Sequence, residues 1–382
     1  MTIYALTGPR LFTGERFLDD HALVIEGSSI IDLLPRAALP AGLEVETCAP
    51  GLLVPGFIDA QVNGGGGVLF NATPTPDALA RLAHAHARYG TTALLPTFIT
   101  DDSTGMVAAV EAVRAAIANE SPGVIGIHLE GPFLAKSRKG AHDPNLIRAL
   151  TDADADVLLA TGLQTVLLTL APETVPPALI AKLAAGGIIV SLGHTEATYE
   201  GAMAAADAGA RGVTHLFNAM SPLSHRAPGV VGAALTHSGL WAGIIADGHH
   251  VHPAALATAL RAKRGPGKLF LVTDAMPTAG HSEGEFHLNG RLVTRQNGVL
   301  TLDDGTLAGS DLTMDAALRF TVANLGVGLD EALRMASLYP AQFLGLDRAR
   351  GRLAPGYRAD FVHLTPDLGV AQVWIGGATV RD

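Results

Sequence analysis

A glutamate, two histidines and an aspartate hold matching places in this chain. Glu130, His194, His215 and Asp274 lie at the ends of short apolar runs, VIGIHLE, IIVSLGH, VTHL and LFLVTD. Runs of this length predict buried strands. Imidazole nitrogen and carboxylate oxygen both bind zinc and its first-row neighbours. Glu130, His194 and His215 make a three-ligand set that leaves a position open for water, as a catalytic site requires. Asp274 is then the candidate base beside that water. One histidine at a strand end is more often a hydrogen-bonded structural residue. Four such groups on one rim are much harder to explain that way.

Further candidates follow these strands. After Glu130, Gly131-Pro132 predicts a sharp turn, and the loop AKSRKGAHD carries His142 towards the rim. His142 can hydrogen-bond a substrate carbonyl or serve as a solvated loop histidine, and spacing leaves both open. Lys136, Arg138 and Lys139 read as a solvated basic loop. Asn218 and the amide of Ala219 lie just beyond His215. Arg226 sits in a loop rich in proline and glycine, where its planar donors match an anion or simply face solvent. His250, in ADGHHVHP, is a second candidate for an anion, with His249 and His252 unranked beside it.

The elements that must position these residues are legible. From LLVPGFIDAQVNG onward, apolar runs alternate with alanine-rich amphipathic segments. The predicted strands are LLVPGFID, TALLPTF, VIGIHLE, TVLLTLA, GIIVSLGH, VTHLFN, WAGIIAD and LFLVTDA. Alternation of this kind predicts an α/β chain folded as a (β/α)8 TIM-type barrel, with active groups at the C-terminal ends of its strands. An open doubly wound sheet is the alternative, but no GxGxxG follows the first strand. The segment HSEGEFHLNGRLVTRQNGVLTLDDGTLAG reads as hairpins inserted after the eighth strand. Both ends of the chain alternate apolar and polar residues around glycine turns. They predict one small β-domain of residues 1–51 plus 349–382, flanking a catalytic barrel of residues 52–348.

The bulk composition narrows the function. The 382 residues are 48% hydrophobic and 16% charged, which fits a large buried core. A net charge of −10 argues against nucleic acid or an anionic membrane as partner. The single cysteine, Cys48, allows no intrachain disulfide and suits a reducing cytoplasm. No apolar stretch reaches membrane-spanning length, and the N-terminus lacks the pattern of a signal peptide.

Taken in order, PGFIDAQVNGGGG, HLEGPF, KGAHDP, SLGHTEAT, VTHLFNAM, RAPG, ADGHHV, VTDAM and LAGSDLTM resemble the amidohydrolase superfamily. Within it they resemble the N-acetylglucosamine-6-phosphate deacetylase family. The resemblance implies a cytoplasmic, homodimeric hydrolase of amino-sugar catabolism and cell-wall recycling, built as a barrel plus a small β-sandwich domain from both termini. It would convert N-acetyl-D-glucosamine 6-phosphate to D-glucosamine 6-phosphate and acetate. It implies Glu130, His194 and His215 as metal ligands, Asp274 as acid/base and His142 as the group that orients and polarises the acetyl carbonyl. Asn218, Ala219, Arg226 and His250 would hold the sugar phosphate, with Arg226 and His250 possible contributions across the dimer interface. One departure matters. Where many members of the superfamily carry His-x-His, this chain has Gln61 and Asn63. Neither amide replaces imidazole well on zinc. The expectation is therefore one divalent ion per subunit, zinc first, with iron, cobalt or manganese tolerated and Gln61 and Asn63 as vestigial second-metal positions.

Overall fold

Eight parallel strands form the centre of the protein, seen in a computed structural model that describes residues 3–380. They are Phe57–Val62, Thr91–Ile99, Ile127–Glu130, Val166–Leu170, Ile189–Leu192, Gly212–Val213, Trp241–Ile244 and Leu269–Leu271. Each pairs with its neighbour in sequence, so the expected (β/α)8 barrel is observed and the open-sheet alternative is not. Helices cover the outside. Their starts follow from local chemistry: Thr75, Asp102, Thr151 and Thr198 each accept a backbone N–H of the first turn.

The predicted strand LLVPGFID is divided at Gly56. Leu52–Pro55 pairs with Arg10–Phe12 and Phe361–Leu364, in a six-stranded sheet drawn from both ends of the chain. The barrel begins only at Phe57. A second sheet, of four strands within residues 3–47, joins that terminal region. Leu6, Leu23, Ile25, Leu53, Phe361 and Trp374 pack in a core separate from that of the barrel. Residues 1, 2, 381 and 382, within the small domain expected from the sequence, lie outside the described residues.

Two helices escape the periodicity reading. Asp152–Leu159 opens on alternating Asp and Ala, which shows no long apolar face. Gly229–Thr236 is buried from Gly229 to Leu235, so it has no polar face to betray a helical period. The segment LDEALRMASLYPAQFLG forms two helices, Leu329–Ala336 and Leu338–Leu344, rather than one. The inserted hairpins form a four-stranded antiparallel sheet spanning residues 285–310. Leu288, Val293, Leu300 and Ala308 pack it onto Ile99 and Met276 at the barrel rim.

Inside the barrel, buried hydroxyls and one histidine tie the strands together. Thr97 bonds His128 Nδ1 at 3.0 Å, and His128 Nε2 bonds Thr169 at 2.8 Å. Thr214 then joins Thr169 and Ser191, each at 2.7 Å. Asp59 closes the seam between the first and eighth strands. It accepts the Thr273 hydroxyl at 2.5 Å and the Thr273 and Gln61 amides at 3.2 Å each. Just above, the Asp274 amide donates to the Gln61 carbonyl at 2.9 Å.

Burial, opposed by those hydrogen bonds, pushes the Asp59 carboxyl up to about 7. A carboxyl with a folded pKa above its unfolded value binds more protons when folded, so stability falls as pH rises between roughly 4 and 7. Asp59→Asn is neutral throughout and loses that slope. Its stability relative to wild type is expected to improve by on the order of a few kcal/mol from pH 4 to pH 8. Urea unfolding at the two pH values checks this; a difference independent of pH would contradict it.

Candidate metal centre

The barrel delivers its chemistry from strand ends. Glu130 is the last residue of the third strand, while His194, His215 and Asp274 lie two or three residues beyond the fifth, sixth and eighth. The last three have left-handed backbones, with φ of 48°, 32° and 54°. Such conformations are costly for residues with a Cβ and cluster at functional sites. They turn each side chain from the barrel wall into the mouth.

The structure brings Glu130, His194 and His215 together. Glu130 Oε1 lies 3.2 Å from His194 Nε2 and 3.0 Å from His215 Nε2, and the two Nε2 atoms are 3.1 Å apart. All three side chains are buried. His194 Nδ1 lies 2.8 Å from the Arg138 carbonyl, which can only accept. The neutral ring therefore carries its proton on Nδ1 and its lone pair on Nε2, the form that binds a cation. Two imidazole nitrogens and one carboxylate oxygen facing one point suit a divalent metal. Burial raises the Glu130 carboxyl, but hydrogen bonds and charge from His194 and His215 outweigh it and hold it well below the usual range. Those same contacts with Glu130 lift His215 despite its burial.

Asp274 stands beside this group without joining it. Gln61 Nε2 reaches Asp274 Oδ1 at 3.1 Å and the two oxygens of Glu130 at 3.3 and 3.2 Å. Asn63 Nδ2 donates to Asp274 Oδ1 at 2.6 Å. Burial and the charge of Glu130 push Asp274 up to about 6, against His215, His250 and the Asn63 hydrogen bond. A carboxyl so placed can both take and return a proton near neutrality.

A cavity of about 400 Å³ opens above these residues. His142 lines it, with Nδ1 held by Thr100 Oγ1 at 2.8 Å. Burial and the charge of His194 push His142 down to about 3, so the ring is neutral. Asn218, Ala219 and His250 also line the cavity. His250 Nδ1 is 2.6 Å from Asp247 Oδ2, and Asp247 Oδ1 accepts the amides of His249 and His250. Burial works against the Asp247 carboxylate, but the His250 contact prevails and lowers its pKa. His252 faces elsewhere and accepts the Ala254 amide at the start of helix Pro253–Ala262. Arg226 is exposed and does not line the cavity of its own chain.

Several lining residues escaped the sequence reading. Thr306–Gly309 come from the inserted sheet, with Met276 beside them. The run LAGS held the signal. A Cβ on Gly309, where φ is 66°, would stand 2.5 Å from Met276 Cγ and 3.0 Å from the Asp274 carbonyl. Arg138 is not simply solvated, since its guanidinium pairs with Glu196 while its carbonyl holds His194.

A barrel with this group at its mouth defines a metal-dependent hydrolase. The amidohydrolase family pattern matches residues 52–380, and the chain belongs to that family. Residues 3–47 match the NagA composite domain. The chain is 46% identical to an N-acetylgalactosamine-6-phosphate deacetylase of Shewanella sp. (strain ANA-3), over 86% of this chain and 82% of that one. A crystal structure of N-acetylglucosamine-6-phosphate deacetylase from Pasteurella multocida superposes with a TM-score of 0.95 at 36% identity, covering 99% of each chain. A mutant of the N-acetyl-D-glucosamine-6-phosphate deacetylase from Mycobacterium smegmatis, in complex with N-acetyl-D-glucosamine-6-phosphate, superposes at 0.91 with 35% identity over 100% of each.

The metal-free protein should be stabilised by divalent cation. At a hundredfold excess over Kd the gain is about 2.7 kcal/mol. Thermal melting with and without zinc reads it, and the shift should vanish in His194→Ala. An equal shift in that variant would place the ion elsewhere.

Proposed function

We propose that this chain hydrolyses the acetamide of N-acetyl-D-glucosamine 6-phosphate, releasing D-glucosamine 6-phosphate and acetate. The observation that carries the reading is the buried trio of Glu130, His194 and His215 with Asp274 beside it, in a chain that matches deacetylases along nearly its whole length. Glu130, His194 and His215 hold one divalent ion, with zinc the first choice and iron, cobalt or manganese compatible with the same donors. Gln61 and Asn63 present amide N–H groups to Asp274, in place of imidazoles that would support a second ion.

The metal, when bound, acidifies water and polarises a carbonyl. Asp274, oriented by Gln61 and Asn63, takes the proton of the attacking water and delivers it to the departing amine. His142 is held with Nδ1 against Thr100 Oγ1 at 2.8 Å, and in the tautomer protonated on Nε2 it donates to the acetamide oxygen, where negative charge develops. Asn218, the Ala219 amide and His250 bind the sugar phosphate, with Asp247 orienting the His250 ring through Nδ1. Arg226, exposed on its own chain, completes the phosphate site of a neighbouring subunit in a homodimer. No helix among the described residues is long and apolar enough to cross a membrane, and the substrate is polar, so we place the enzyme in the cytoplasm.

A second reading has its own support. The Shewanella relative, at 46% identity, is named for the galactosamine sugar phosphate, the epimer at C4. The ratio of kcat/KM for the two N-acetylated sugar phosphates separates the readings, and the glucosamine form is expected to prevail. A clear preference for the other epimer would replace it.

Asp274→Asn is expected to keep one metal ion per chain and lose turnover by roughly 10²–10⁴-fold. Full activity would remove Asp274 from its role, and two tightly held ions in active wild type would refute the single-ion site. Arg226→Ala should lower kcat/KM for the phosphorylated sugar by at least tenfold, while hydrolysis of the unphosphorylated sugar stays near wild type. Equal loss on both substrates would show that Arg226 does not recognise the phosphate.

A further inference from the structure

We propose that Arg138 and Glu196 form a latch that sets the metal affinity of the site, with Arg138 acting as a positioning residue through His194. The inference rests on the reading of Glu130, His194 and His215 as ligands. His194 and His215 are not held alike. His194 Nδ1 meets the Arg138 carbonyl at 2.8 Å, whereas His215 Nδ1 is buried and meets no such group of another residue among the described residues. The tautomer and angle of one ligand therefore depend on where the Arg138 peptide stands.

The segment that carries this peptide is tied at Ala135 to His194 and closed on itself by a turn. The Ala135 amide donates to the His194 carbonyl at 2.8 Å, and the Arg138 amide donates to the Ala135 carbonyl at 2.9 Å. The Arg138 guanidinium forks onto Glu196, two residues past His194, through Nε to Oε1 and the second arm to Oε2 at 3.2 Å. Glu196 is itself anchored. Its amide donates to Glu173 Oε1 at 2.6 Å, and the Thr195 hydroxyl donates to Glu173 Oε2 at 2.5 Å. The fork is well shaped, but its side chains are 33% and 45% exposed, so it adds little to global stability. Its effect is local, on the placement of the carbonyl.

The same loop carries the substrate-facing groups. Gly140 lies against His194, and a Cβ there, where φ is 54°, would stand 3.3 Å from the ring Cε1. The His142 amide donates to the Lys139 carbonyl at 3.0 Å, and its ring meets that of His194 edge-on at 4.4 Å. Releasing Arg138 therefore loosens a metal ligand and the carbonyl-facing histidine together.

The test uses purified full-length protein without substrate. Zinc affinity is measured by competition with a chromophoric chelator for wild type, Arg138→Ala, Glu196→Gln and the double variant. Each single change is expected to weaken zinc by about 10–100-fold, the range for partners behind a ligating histidine. The double variant should lose no more than the worse single, because both remove one interaction. The melting temperature of the metal-free protein should stay at the wild-type value, and the visible spectrum of the cobalt-loaded variants should shift. Glu196→Gln keeps the shape of the side chain and decides the matter if Arg138→Ala folds poorly. Wild-type affinity in both single variants, or losses that add in the double, would overturn the latch. A wild type that takes up no zinc would instead remove the ligand reading beneath it.

Discussion

Three donor atoms held within 3.2 Å of one another constrain everything else at the mouth of this barrel. Two imidazole nitrogens do not approach a shared carboxylate oxygen in a buried place without something positive between them. A shared proton relieves part of this, and a divalent cation satisfies all three donors at once. The surrounding fold pays for the arrangement. Left-handed backbones at His194, His215 and Asp274 each cost on the order of 1–3 kcal/mol. They persist because the strands below are locked by the Thr97–His128–Thr169–Thr214 hydrogen bonds and by a continuous apolar core.

The first strand shows how the constraint is met at the seam. Asp59 and Gln61 alternate on one face of the strand, and Asn63 follows directly after its last residue. Asp59 binds Thr273, below Asp274, and closes the barrel. Gln61 spans Glu130 and Asp274, and Asn63 donates to Asp274 alone. This part of the chain thus shuts the cylinder, separates the Glu130 carboxylate from that of Asp274, and aims the latter. Both amides turn N–H donors towards Asp274, and Gln61 also towards Glu130, so they organise the two carboxylates. The same face explains why the raised Asp59 and the raised Asp274 coexist: each is buried, but each is served by its own set of donors.

Much of this was legible in the residues. The eight apolar runs gave the barrel, because a strand buried on both faces reads as an unbroken apolar stretch. Glu130, His194, His215 and Asp274 stood out as polar groups at the ends of such runs, and the structure gathers them. What escaped had physical reasons. Gly229–Leu235 is buried all round, and a helix without a polar face has no period to detect. The division of LLVPGFID was hidden because one apolar run can serve two sheets. Arg138 was taken for a solvated cation because its contribution to His194 is made by its carbonyl, which every residue has. The inserted sheet was recognised as hairpins, but its approach to the cavity depends on Leu288 and Ala308 packing onto Met276, a contact distant in sequence.

Chemistry and recognition are therefore built from different material. Glu130, His194, His215 and Asp274 come from strand ends, where the barrel fixes them to a fraction of an ångström, while His142 comes from the loop after the third strand. The rest of the cavity wall comes from loops and the insertion: Asn218 and Ala219, His250 with Asp247, and Thr306–Gly309. N-acetylglucosamine and N-acetylgalactosamine phosphates carry the same acetamide on C2 and differ at C4. A trio and an aspartate aimed at C2 cannot read that difference, so relatives named for either sugar can share the whole catalytic group. Discrimination must fall on the wall, and Thr306–Gly309 can move only within limits. Gly309 lies so close to Met276 and the Asp274 carbonyl that a side chain there would press on the backbone that carries Asp274.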